Sequence, residues 1–75
     1  MERYKNLNGD SGVSAYEIGD DYIKVEFSDE SLYLYNNGST GSQNIEQMKI
    51  LALNGSGLNS FINTRVRKNY ASKLR

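Results

Sequence analysis

An α+β fold, a three-stranded antiparallel β-meander followed by two helices packed on one face, is what the apolar spacing of this 75-residue chain implies. Apolar residues recur with a period of two through residues 13–35, then with a helical period through residues 45–66. The joins within the first stretch, Gly19-Asp20-Asp21 and Ser28-Asp29-Glu30, are short enough to connect antiparallel neighbours. Strands gathered before helices are the α+β order.

Residues 1–11 are mostly polar and read as a flexible N-terminal lead-in. The weakest strand covers Val13 to Ile18, with Val13 and Ala15 on one face and Tyr16 and Ile18 on the other. In the second, Ile23, Val25 and Phe27 alternate with Tyr22, Lys24 and Glu26, which gives an apolar inner face. The third, Leu32-Tyr33-Leu34-Tyr35, sends its leucines one way and its tyrosines the other. Residues 36–42 read as a loop. A helix then carries Ile45, Met48, Leu51 and Ala52 on one face, with Asn44 as N-cap and Gln47 three residues on. Asn54-Gly55-Ser56-Gly57 ends it. A second helix buries Leu58, Phe61, Ile62 and Val66 and turns Asn63, Arg65 and Arg67 outward. The domain thus spans residues 12–70, with Tyr70 packing back onto the body and residues 71–75 forming a basic C-terminal tail.

Charge is sorted along the chain. It sums to zero, yet every acidic residue lies at or before Glu46, while Arg65, Arg67, Lys68, Lys73 and Arg75 follow Thr64 with no acid among them. A bare cationic segment attracts polyanions even when the average is neutral. The absence of Cys and His excludes a disulfide framework and a zinc site, and removes the commonest general base and strongest nucleophile. No enzyme, cofactor or metal is therefore expected. Asp20-Asp21 and Asp29-Glu30 stand where turns favour Asp for backbone reasons. No apolar run approaches the roughly 20 residues of a spanning helix, and the first residues lack a signal-peptide core. A cytoplasmic protein without a membrane partner is expected.

Two sets of residues carry candidate chemistry. Tyr33 and Tyr35 lie roughly 7 Å apart on one strand face. If the leucines face the helices, the two rings form an open platform for successive bases, each stack contributing roughly 1–3 kcal/mol. If the tyrosines face the helices, they are core and the leucines are exposed. Tyr16 and Tyr22 are possible additions to the platform. Arg65 and Lys68, three apart, share a helical face, with Lys73 and Arg75 trailing as further phosphate contacts; the same cations also suit a helix C-terminus. Asn63 is placed either to bond a base edge or phosphate, or to bond local backbone.

The order of these motifs resembles the KTSC domain, a family named for its occurrence at the C-terminus of some lysyl-tRNA synthetases. Val25-Glu26-Phe27 leads into Tyr33-Leu34-Tyr35, and Phe61-Ile62-Asn63, Val66-Arg67 and Tyr70 follow. The family's aromatic pair is Phe61-Ile62 here. The resemblance implies a small module that binds RNA. Nucleic-acid contacts are accordingly expected at Tyr33, Tyr35, Asn63, Arg65, Arg67 and Lys68. The alternative expectation is a protein-interaction or self-association module, its tyrosine face and acidic turns meeting a protein partner or a second copy in a homodimer.

Overall fold

A computed structural model of the chain describes residues 1–7 and 12–75. The elements are β1 (Glu2–Arg3), β2 (Val13–Ile18), β3 (Tyr22–Phe27), β4 (Leu32–Asn36), α1 (Asn37–Thr40), α2 (Ser42–Asn54), α3 (Leu58–Phe61), which continues as a π-helical segment (Ile62–Val66), and β5 (Ser72–Lys73). The strands form one antiparallel sheet in sequence order. The α+β class and the meander β2–β3–β4 agree with the sequence, but the described residues contribute five strands rather than three. The two additional strands are two residues long and lie at the edges, too short to show a period.

The helices cover one face of the sheet. Ile23, Val25 and Tyr35 from the sheet meet Ile45, Met48 and Ala52 of α2 and Leu58, Ile62 and Val66 of α3 and its extension. Each Ile, Val, Leu and Met among them contributes roughly 1.5–3 kcal/mol on burial. Both expected helical stripes are therefore core, with Leu51 and Phe61 half-buried at their margins.

Strand β2 departs from simple alternation. Val13 pairs with Phe27, but Ala15 pairs with Glu26, so Ser14 is an extra residue. This β-bulge switches the parity of the strand and turns both Val13 and Tyr16 inward. Val13 and Ala15 do not share a buried face, because the bulge lies between them. The Ser14 hydroxyl donates to the Glu26 carbonyl at 3.2 Å.

The β3–β4 connection fixes the register on which the site depends. Phe27 N–H donates to Ser31 O and Glu30 N–H to Phe27 O, both at 2.9 Å. Glu30 takes φ of 72°, in the left-handed region. This turn places Tyr33 opposite Val25 and Tyr35 opposite Ile23. At the other hairpin a Cβ on Gly19 would lie 2.0 Å from the Tyr22 ring, so a larger residue there must displace that ring.

Residues 36–42 are not simply a loop. Asn36 caps α1, its Oδ1 accepting from Ser39 N–H at 2.9 Å, and Thr40 is buried with its hydroxyl donating to Asn69 O at 2.7 Å. Helix α2 begins at Ser42, so Asn44 is inside it and donates from Nδ2 to Thr40 O rather than capping.

The ends of the chain are tied down. Tyr4 is 3% exposed, and its hydroxyl accepts from Leu58 N–H at 3.2 Å, satisfying a donor at the start of α3. Leu7 N–H donates to Gly55 O at 2.7 Å, and Gly55 takes φ of 77° where a Cβ would press on Lys5 at 2.5 Å. Residues 1–7 are thus a strand and a packed segment rather than a flexible lead-in; residues 8–11 of that expectation lie outside the described ones. Residues 71–75 are likewise no free tail. Ala71 N–H donates to Leu34 O and Leu74 N–H to Leu32 O, both at 2.7 Å.

Two stability outcomes follow from these contacts. Tyr4→Phe strands the buried Leu58 N–H and is expected to cost about 1–3 kcal/mol in urea unfolding; an unchanged midpoint would show that residues 1–7 do not pack. Glu30→Gly relieves the left-handed backbone and is expected to raise stability by about 1 kcal/mol; a loss of stability would contradict the turn geometry.

Candidate functional site

An open cleft of about 520 Å³ lies where the β3–β4 turn meets the end of the π-helical segment. Its floor is aromatic. Tyr33 is 4.8 Å from Tyr70 and 5.6 Å from Phe27 between ring centroids, both edge-to-face. Tyr35 meets Tyr70 at 6.3 Å and 89°. Such pairs add roughly 0.5–1.5 kcal/mol each beyond area burial. The turn supplies Asp29 and Ser31 to the lining, the π-helical segment supplies Asn63, and the residues just after it supply Arg67 and Lys68.

The tyrosine platform is corrected by the register. Tyr35 is 1% exposed and Tyr33 half-buried, because both face the helices, while Leu32 and Leu34 stand on the outer face opposite Glu26 and Lys24. Two bases do not stack on two adjacent open rings here. Tyr16 is buried, and Tyr22 is on the outer face with its hydroxyl donating to Glu17 at 3.0 Å, so neither joins the site.

Five of the six expected residues, Tyr33, Tyr35, Asn63, Arg67 and Lys68, nonetheless line this one cleft. Arg65 does not. It borders a neighbouring concavity of about 420 Å³, which Arg67 and Lys68 share. The expected pairing of Arg65 with Lys68 on one helical face fails because the helical segment ends at Val66. Arg67 N–H closes a bond to Ile62 O, five residues back, and the chain then turns. Arg65, Arg67 and Lys68 are exposed and make no ion pair among the described residues. The last two cations do not trail. Lys73 lies over the Tyr33 ring at 5.8 Å, and Arg75 is paired with Glu26 and bonded to Glu30 O.

Polar groups of the cleft are left available. Asn63 is exposed, and its side chain makes no hydrogen bond among the described residues, so it does not serve local backbone. The Tyr35 hydroxyl makes no hydrogen bond among the described residues either. Every fully buried side-chain oxygen or nitrogen among the described residues has one, so this hydroxyl touches the cleft. Burial, then the neighbouring Tyr33 and Tyr70, push its pKa up to about 12. Asp29 is held low, chiefly by the Ser31 hydroxyl and then by the Ser31 backbone N–H.

Sequence reading missed Asp29, Ser31 and Phe27 as lining residues. Only the alternation that turned Phe27 inward was a signal; Asp29 is some 34 positions from Asn63, and nothing local announces their approach. Among the described residues no group of three His, Cys, Asp or Glu is placed to hold a metal, and no helix is long and apolar enough to cross a membrane. Comparison with protein-family models, curated proteins and solved structures finds no match to this chain.

The phenol at the base of the cleft is open to titration. Tyr35 is expected to ionise near pH 12 in tyrosinate absorbance, against about 10 for an ordinary tyrosine. Since the folded state holds this proton longer, the stabilisation is complete below about pH 10 and is lost as pH rises towards 12. Tyr35→Phe removes the late phase; persistence of that phase in the variant would contradict the assignment.

Proposed function

We propose that this chain is a non-catalytic module that binds single-stranded nucleic acid, RNA in the first instance, through the aromatic cleft. One observation carries the reading: Arg65, Arg67 and Lys68, without an ion pair among the described residues, gather beside a concave floor of tyrosines. A single base enters against Tyr33 and Tyr70, and the cations hold the phosphates on either side of it. The cleft has the volume of a small-ligand site rather than of an extended track. The KTSC likeness supports the same reading. Tyr33, Tyr35, Ile62, Asn63, Arg67 and Tyr70, among the residues that carry that likeness in the sequence, line the cleft.

A second reading has its own observation. Ile50 and Leu53, three apart on α2, are 52% and 58% exposed, which suits a protein partner or a second copy. Its signature is salt-insensitive self-association in sedimentation.

Fluorescence anisotropy of a labelled single-stranded oligoribonucleotide tests the first reading. Three phosphates neutralised on a single strand give a log–log salt slope of about −2, and Arg67→Ala with Lys68→Ala reduces it to about −0.7. Binding that is indifferent to salt, or to the double substitution, would overturn it.

A further inference from the structure

We infer that the cleft selects guanine, with Asp29 as the residue that reads the base. The inference rests on the single-strand reading of the same cleft.

A carboxylate is out of place in a site built only for phosphates, because it repels them. Asp29 nevertheless lines the cleft together with Arg67 and Lys68. Its position is fixed. Oδ1 accepts from Ser31 N–H at 3.0 Å and from the Ser31 hydroxyl at 2.6 Å, and Oδ2 has no hydrogen-bond partner among the described residues. These bonds also keep the group ionised, hence an acceptor with no proton to donate.

Such a group discriminates among bases by what each presents along its Watson–Crick edge. Guanine offers two adjacent donors, N1–H and the N2 amino group, which converge on the open Oδ2 of Asp29, Oδ1 being already engaged by Ser31. Adenine and cytosine set a lone pair beside their amino group, and uracil flanks its single N–H with two carbonyl oxygens. Each of those lone pairs faces the negative oxygen of Asp29, so the residue rejects these bases as well as favouring guanine. The remaining guanine acceptors, O6 and N7, find donors in the same cleft: the amide of Asn63 and the Tyr35 hydroxyl, neither of which is hydrogen-bonded among the described residues. The exchange of hydrogen bonds is therefore complementary on both sides of the base.

The test uses the full chain and labelled oligouridines that carry one central guanosine, inosine, adenosine or cytidine. A single guanosine avoids guanine self-association. The guanosine oligomer is expected to bind at least about fivefold more tightly than the adenosine or cytidine oligomer, the scale of one charge-assisted hydrogen bond. Inosine, which keeps N1–H and lacks the amino group, falls between. Asp29→Asn retains the Oδ1 acceptor for Ser31 and so keeps the turn. It is expected to weaken the guanosine oligomer, strengthen the adenosine and cytidine oligomers, and leave the salt slope unchanged. Equal binding of all four with a normal salt slope overturns the guanine assignment and leaves the single-strand reading intact. No binding of any oligomer overturns both. A guanosine preference that survives Asp29→Asn overturns the role of Asp29.

Discussion

The pairing of Val25 with Tyr33 and of Ile23 with Tyr35 decides which face of β4 belongs to the core. Strand periodicity is two, so a slip of one residue would bring Leu32 and Leu34 inside and put both tyrosines in water. The four-residue turn at Ser28-Asp29-Glu30-Ser31 prevents that slip, at the expense of a left-handed Glu30. The floor of the cleft, the raised pKa of Tyr35, the approach of Lys73 to Tyr33 and the placement of Asp29 all follow from that one register.

The short edge strands complete what the turn begins. A chain of this size buries a modest share of its surface, and the described residues have neither disulfide nor metal cluster to compensate. Tyr4 and the β1 pairing close one end of the fold; β5 closes the other and brings the Lys73 ammonium over the Tyr33 ring. Fixing β5 also divides the cations. Arg75 is paired with Glu26 at the outer face, whereas Arg65, Arg67 and Lys68 have no ion pair among the described residues.

Long, strongly periodic segments were legible in the sequence: β3, β4 and both buried helical stripes are where the alternation and the helical spacing put them. Elements set by a single residue were not. The bulge at Ser14 reverses the parity of β2 without a local mark, and β1 and β5 are too short to carry a pattern. The facing of β4 was left open because Leu-Tyr-Leu-Tyr is apolar on both sides, and only the turn geometry resolves it. Of the site, the residue types at Tyr33, Asn63, Arg67 and Lys68 were readable. The π-helical ending that separates Arg65 from the cleft was not, since it depends on which carbonyl Arg67 N–H reaches.

Mapping a single-stranded oligoribonucleotide onto the chain by NMR titration tests whether the aromatic floor and the cations act as one surface. The account expects the resonances of Tyr33, Tyr70, Asn63 and Arg67 to shift together at a common affinity, while those of Ile50 and Leu53 stay in place. Shifts confined to α2, or to Leu32 and Leu34 on the outer face of the sheet, would contradict it.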